Sequence, residues 1–375
     1  MARALQLARR GLYTSDPNPR VGCVIVKAGK VIGEGGHIQA GGPHAEVLAL
    51  QQAGEQARDA TAYVTLEPCC HQGRTGPCTD VLINSGVRRV VVAMEDPNPL
   101  VAGQGITRLR QAGIQVVIGI EQAAAEQLNP GFISRMKRGR PFMRCKMAMS
   151  LDGRTAMASG QSQWITSAAA RQDVQRLRAR SSAILTGIGT VLADDPALTV
   201  RPEQLFENAE LLVNGSIRQP IRIIIDTQAR LPGSARLLQH EGEKLLVTSA
   251  ESGDRARNHL SDINGLSVMS LAVVTAHESD GLVQRLDLGG LFDVLAPYQL
   301  NEVLIEAGPT LCGALLTAGY IDELVIYMAP KLMGHLANGL FNLPWLTNMA
   351  QCVDVEITDI RAVGHDWRIT AALIQ

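Results

Sequence analysis

Four residues in this 375-residue chain have the types and spacing of a reactive metal site: His44, Cys69 and Cys78, with Glu46 two residues after the histidine. An imidazole and two thiolates are donors that hold Zn²⁺, and a catalytic zinc takes three protein ligands and leaves its fourth position to water. The pKa of that water falls from about 15.7 to roughly 7. Glu46 can lie beside such a water without being a ligand, and a carboxylate there can take its proton and pass it to a leaving amine. A structural zinc is the alternative. It would be four-coordinate, and Cys70 or His71 could supply the fourth ligand. Adjacent residues seldom point at one ion, so Cys70 reads as a bystander.

These residues need elements to carry them. Residues 1–12 read as a helix, 21–26 and 30–35 as strands joined at Ala28-Gly29, and His44 opens a helix that runs to about Ala53. A strand over 62–66 ends in Glu67-Pro68-Cys69, and Cys78 begins a helix to about Ser85. Helix N-termini favour negative groups, which helps keep the cysteines as thiolates. Strands over 89–94 and 114–118 flank a helix over 101–112. The basic run within 128–140 reads as a solvated linker, with a domain boundary near 140.

Beyond it, a strand over 142–149 leads to Ser167, a helix cap, and a helix to about Arg180. Apolar segments at 183–187, 221–226, 245–249 and 303–307 have the character of parallel strands. The last ends in a turn, Gly308 to Gly313, whose N–H groups could meet a phosphate or could serve packing only. Strand 324–328 and a hairpin of 353–359 with 367–373 finish the pattern, and 201–217 and 251–277 read as including surface insertions. Alternating strands and helices indicate an α/β layer fold.

Composition narrows the function. Length suggests two or three domains. A net charge of −1 without a basic stripe disfavours nucleic acid as partner. No apolar run approaches the roughly 18 residues of a membrane span. Seven cysteines, at 23, 69, 70, 78, 145, 312 and 352, form no disulfide framework, so the expected compartment is reducing and cytoplasmic.

A histidine, a glutamate two residues on, and later Pro-Cys-x-x-Cys is the pattern of zinc deaminases. Here the cysteines are further apart, with Cys70 to Pro77 between them. The stretch Thr65 to Cys78 closely resembles the zinc loop of the bacterial bifunctional riboflavin-biosynthesis deaminase/reductase family. Asn18 to Val24 and Glu95-Asp96-Pro97-Asn98-Pro99 resemble its flanking deaminase motifs. Met149 to Arg154 and Leu192 to Pro196 resemble its reductase half, so the resemblance spans nearly the whole chain in order.

That resemblance implies a cytidine-deaminase-like three-layer α/β/α domain over 1–140 and a dihydrofolate-reductase-like α/β domain over 141–375. It implies one zinc per chain on His44, Cys69 and Cys78, with Glu46 catalytic. It implies a phosphorylated diaminopyrimidine substrate, contacted by Asn18, Asp96 and Asn98, although a Pro-bounded turn explains the last two equally well. His37 and His71 are further candidates for its phosphate. In the second half it places NADPH against Ala148, Trp164, Thr190, Asp194, Thr227 and the run Gly308, Pro309, Thr310, Leu311, Cys312, Gly313, Ala314. Substrate would meet Ser162, Arg178, Leu198, Arg201 and Glu306 there, with Lys146 or Asp194 assisting proton transfer. A guanidinium pairs bidentately with phosphate, though a helix-face ion pair also accounts for Arg178. A homo-oligomer, with a dimer favoured, is the expected assembly. The rival readings are a nucleoside or tRNA deaminase with a degenerate second half and a zinc-stabilised nucleic-acid-binding module.

Overall fold

The structure, a computed structural model, describes residues 1–71, 76–205, 217–278 and 281–374. Residues 72–75 of the cysteine loop and 206–216 of the expected insertion lie outside the described residues. Two compact units divide near residue 141: one takes in residues 1–141 and the described residues 217–218, and the other residues 142–205 and 219–374. Among the described residues no helix is long and apolar enough to cross a membrane.

In the first unit the strands are β1 (Gly22–Lys27), β2 (Lys30–Gly36), β3 (Thr61–Val64), β4 (Arg89–Val92) and β5 (Gln115–Ile118). They form a sheet of order β2-β1-β3-β4-β5, antiparallel at β2-β1-β3 and parallel from β3 to β5. The helices are α1 (Ala2–Arg9), α2 (Ala45–Ala53), α3 (Cys78–Ser85), α4 (Gln104–Gln111), α5 (Gln122–Leu128) and α6 (Pro130–Arg138). One sheet face buries Ile25, Ala62 and Val92 against Ala45, Ala49, Leu82 and Leu109 of α2, α3 and α4. The other side packs Leu66, Ala93 and Met94 against Leu5, Ala8, Leu128 and Phe132 of α1, α5 and α6. Helices on both faces make three layers.

Small residues bring α2 close to the sheet. A Cβ at Gly33 would collide with the Ala49 carbonyl, and one at Gly35 with that of Ala45. This close approach sets the height of the helix start, where His44 sits as N-cap.

The expected linker at 128–140 is not a linker. Residues Pro130–Arg138 are helical. Proline is tolerated at the helix start because its missing N–H would be unpaired there anyway. Phe132 and Ser134 are buried, and Gly139 ends the helix at φ 68°. Of the basic residues that read as a solvated run, Lys137 and Arg138 are exposed, whereas Arg135 is half-buried and donates to the Pro17 carbonyl at 3.1 Å.

The second unit contains β6 (Phe142–Ser150), β7 (Arg154–Ala156), β8 (Ala183–Gly187), β9 (Ile221–Ile225), β10 (Lys244–Ser249), β11 (Leu266–Leu271), β12 (Val273–Glu278), β13 (Gly281–Leu286), β14 (Glu302–Ile305), β15 (Glu323–Ala329), β16 (Asn338–Gly339), β17 (Val355–Val363) and β18 (Asp366–Leu373). Its helices are α7 (Ala168–Arg180), α8 (Ile188–Asp194), α9 (Ala250–His259), α10 (Leu291–Leu295) and α11 (Pro309–Thr317). The main sheet runs β11-β10-β9-β8-β14-β6-β15-β18-β17. It is parallel except for the β17–β18 hairpin, which pairs antiparallel with β15. Residues 251–277 carry α9, β11 and most of β12, which pairs with β13 in a two-stranded sheet apart from the main one. Central strands are buried on both faces, which explains why 183–187 and 303–307 read as continuous apolar runs.

β6 and β14 are also joined by charge. Arg144 is 2% exposed, its Nη1 lies 2.7 Å from Glu302, which is 1% exposed, and its Nε bonds Glu323. Arg180 reaches the same Glu302 carboxylate at 3.0 Å. Removing one partner of a buried pair strands the other charge. Glu302→Ala is therefore expected to lower the unfolding free energy by about 3–5 kcal/mol. Urea titration followed by tryptophan fluorescence reads this directly, because Trp164, Trp345 and Trp367 all lie in this unit. A loss below about 1 kcal/mol would show that Arg144 does not depend on Glu302.

Candidate functional site

In the first unit, His44 Nδ1 lies 3.1 Å from Cys78 Sγ and 3.6 Å from Cys69 Sγ. The three donor atoms all fall within 4.8 Å of one another, and among the described residues they form the one His/Cys/Asp/Glu group compact enough for a metal. Tetrahedral zinc separates a nitrogen and a sulfur ligand by about 3.6 Å, so the donor set fits the ion. The Cys78 backbone N–H points at Cys69 Sγ at 3.3 Å. Cys70 and His71 stand outside this group. The Cys70 carbonyl instead accepts from Arg108 on α4 at 3.4 Å, and Arg108 also pairs with Asp80 on α3.

Hydrogen bonding from the Cys78 thiol, helped by the imidazole, lowers the Cys69 pKa to about 4, while Cys78, as the donor, is held above its usual range. The bond to Cys69 raises His44. Glu46 is 3% exposed in the first turn of α2. Burial, then the Cys69 charge, pushes its carboxyl up to about 7. A proton can therefore be held or released there near neutral pH.

His37 is not available to a phosphate. It is buried, and its Nδ1 lies 3.0 Å from the Pro43 carbonyl, which can only accept. The proton therefore sits on Nδ1, leaving Nε2 to accept from Asn18 Nδ2 at 3.0 Å. This assigns the Asn18 NH₂ group to His37. Burial lowers the His37 pKa and keeps the ring neutral. His71 is exposed.

Asp96 and Asn98 do form a turn. Asp96 Oδ1 accepts from the Asn98 N–H at 2.8 Å, and Asn98 Oδ1 from that of Leu100 at 3.1 Å. Burial raises the Asp96 carboxyl to about 7. The residue that sequence reasoning missed is Glu67, which is 2% exposed. It binds the Asp96 N–H and two N–H groups at the start of α4. An acid directly before Pro68-Cys69, at the end of an apolar strand, was the available signal.

The second unit has a cavity of about 1900 Å³ along the carboxyl ends of its parallel strands. Every cofactor and substrate residue expected in this half lines it except Cys312. The Cys312 thiol is buried, 3.4 Å from the Ala307 carbonyl and 3.6 Å from Cys145 Sγ, in a packing position. The volume exceeds the roughly 300–1,000 Å³ of an ordinary ligand pocket, which leaves room for a dinucleotide beside a substrate. Gly187 and Gly308, N-caps of α8 and α11, both border it.

At the cavity wall Glu306 is clamped by Arg178, with Nε at 2.6 Å and Nη2 at 3.0 Å. Lys146 Nζ stands 3.9 Å from the same carboxylate. Burial alone would raise Glu306, but the Arg178 and Lys146 charges outweigh it and the pKa is lowered. Arg178 is thus paired across the cavity wall and not along its own helix. Arg178 Nη1 also holds the Thr199 carbonyl at 3.0 Å, in the loop where Leu198 adopts φ +50°. Ser162 donates to Asp194 at 3.1 Å. The Arg201 guanidinium, by contrast, has no hydrogen-bonding or ionic partner among the described residues.

Comparison with known proteins bears on both units. The family described as cytidine and deoxycytidylate deaminase zinc-binding region matches residues 1–94, and the RibD C-terminal domain matches 141–369. The riboflavin biosynthesis protein RibD of Escherichia coli is 53% identical over 367 residues, covering 98% of this chain and 96% of that one. That of Haemophilus influenzae is 46% identical over 99% of this chain and 95% of its own. Among solved structures, Acinetobacter baumannii RibD superposes with a TM-score of 0.88 at 46% identity, covering 100% of this chain and 98% of that one. A Thermotoga maritima diaminohydroxyphosphoribosylaminopyrimidine deaminase/5-amino-6-(5-phosphoribosylamino)uracil reductase gives 0.82 at 30% identity, over 100% and 97% of the two chains. Matched in both halves and over nearly all of its length, the chain belongs to the RibD family of bifunctional riboflavin biosynthesis enzymes, with a zinc-binding deaminase domain followed by a reductase domain.

Proposed function

We propose that residues 1–140 deaminate 2,5-diamino-6-ribosylamino-4(3H)-pyrimidinone 5′-phosphate, and that residues 141–375 then reduce the product, 5-amino-6-(5-phosphoribosylamino)uracil, with NADPH. The observation that carries this reading is the convergence of His44 Nδ1 with the Cys69 and Cys78 sulfurs beside the buried Glu46. Those three donors would hold the zinc. When bound, the ion supplies a water acidic enough to act near neutral pH. Glu46 would hold the proton given up by the attacking water and pass it to the 2-amino nitrogen, which would leave as ammonia as the ring carbon gains the oxygen. Asn18, with its NH₂ committed to His37, offers its carbonyl oxygen to a ring N–H. Asp96 and Asn98 shape the wall of the same pocket.

In the reductase domain the strand-end cavity would take NADPH against Gly308 to Ala314, Thr190 and Thr227. When bound, the nicotinamide supplies the hydride taken up at the sugar C1′. Arg201, whose guanidinium has no partner among the described residues, pairs with the substrate phosphate. Lys146 holds the proton that the ribose oxygen needs as the ring opens, while Arg178 fixes Glu306 against the sugar. The unbridged cysteines fit a cytoplasmic setting. A homodimer is the proposed assembly, and sedimentation of the native protein at the 40.2 kDa mass of one chain would exclude it.

Product analysis with the diamino compound, with and without NADPH, tests the whole reading. Glu46→Gln should retain zinc while deamination falls about 10²–10⁴-fold. Cys78→Ser should lose the metal and Cys70→Ser should keep it, as read by metal analysis. Zinc loss in Glu46→Gln, or near-normal deamination with it, would remove Glu46 from the proton path. For the second half, Arg201→Ala should raise KM for the reductase substrate at least about ten-fold, since a charged hydrogen-bonding pair is lost, and leave KM for NADPH nearly unchanged. Equal effects on both would assign Arg201 a structural role.

A further inference from the structure

Glu67 is a fully engaged carboxylate in a position where an ordinary strand end needs none. Its Oε2 accepts from the N–H groups of Asp96 at 3.1 Å and Gly103 at 2.9 Å, and its Oε1 from that of Ile106 at 3.1 Å. Its own N–H donates to the Met94 carbonyl at 3.0 Å. Gly103 is the N-cap of α4 and Ile106 lies in its first turn. The α4 backbone comes so near that a Cβ at Gly105 would collide with the Pro68 carbonyl. Two residues beyond Glu67 is Cys69, a metal donor.

A helix-capping role would account for the bonds to Gly103 and Ile106. It leaves the bond to Asp96 unexplained, because Asp96 belongs to a different segment. Through Glu67 the strand end that leads by way of Pro68 to Cys69, the Asp96–Asn98 turn and the start of α4 share one anchor. All the contacts are made as acceptor, so a glutamine of the same shape would set its NH₂ group against at least one N–H.

We propose that Glu67 is a positioning residue of the deaminase, registering the Asp96–Asn98 wall of the substrate pocket to the Cys69 side of the metal centre. This rests on the reading that Asp96 and Asn98 line that pocket. Glu67 touches neither metal nor substrate. It acts through the backbone of Asp96, so its loss should weaken substrate binding before it weakens metal binding.

The test uses full-length, zinc-loaded protein. Glu67→Gln is expected to raise KM for the diamino compound about ten-fold, the scale of one lost hydrogen bond to a charged group. Zinc should stay at one per chain, and NADPH-dependent reduction of the deaminated compound by the same preparation should be unchanged. Gly105→Ala, whose Cβ would collide with the Pro68 carbonyl and stand 3.2 Å from Glu67 Oε1, shifts α4 against the same anchor while keeping the carboxylate's charge, and should raise the same KM. Combined with Asp96→Asn, Glu67→Gln should add less than the product of the two separate effects, because both act on one wall. Unchanged KM in Glu67→Gln, multiplicative effects, or loss of zinc in both Glu67→Gln and Gly105→Ala would overturn the proposal. If the wild-type protein leaves the diamino compound untouched, the underlying reading fails too. If it is deaminated normally by wild type and by Glu67→Gln, only the positioning role fails.

Discussion

A charged group taken out of water must be met by partners where it stands, because an unpaired one costs more than most contacts can return. Both units are arranged around that constraint. In the first, a buried Glu46 and two cysteine sulfurs crowd a single imidazole, and the crowding itself sets the proton affinities: Cys69 falls to about 4 and Glu46 rises to about 7. A site with that balance is ready for a divalent cation and for a proton that must move near neutral pH. In the second, Arg144 is enclosed by Glu302 and Glu323, and Glu306 by Arg178 and Lys146. The former pins the strands together, and the latter faces the cavity.

Backbone packing supplies the reach these charges need. Gly33 and Gly35 let α2 settle on β2, and this carries His44 to the point where the cysteines arrive from the end of β3 and the start of α3. In the second unit the parallel strands all end on one side, so residues far apart in sequence, such as Gly187, Thr227 and Gly308, border one cavity. Neither site is made by a single segment. Each is made by several segment ends held level by a sheet.

Polar side chains near the sites divide into those that face a ligand and those that hold the facing ones in place. Asn18 has an oxygen to spare because His37 has taken its nitrogen. The Arg201 guanidinium has no partner among the described residues, whereas Arg178 is engaged by Glu306 and the Thr199 carbonyl. From the chain alone the members of each pair look alike.

Residue type and spacing pointed to the chemistry. A histidine and two cysteines suggested a zinc site, a glutamate two residues on a candidate proton carrier, and alternating apolar runs the strands, because each of these is a local property of the chain. Fold class and the strands of the parallel sheet were legible for the same reason. The basic stretch at 130–138 was not, since three basic residues masked the inward side formed by Phe132 and its neighbours. How His37, Glu67 and Arg178 are engaged was not legible, because it depends on hydrogen bonds of about 3 Å to residues 6 to 128 positions away. No local pattern encodes such distances. Which atoms a polar side chain must satisfy is decided only when the sheets bring those segments together and exclude the water that would otherwise have served.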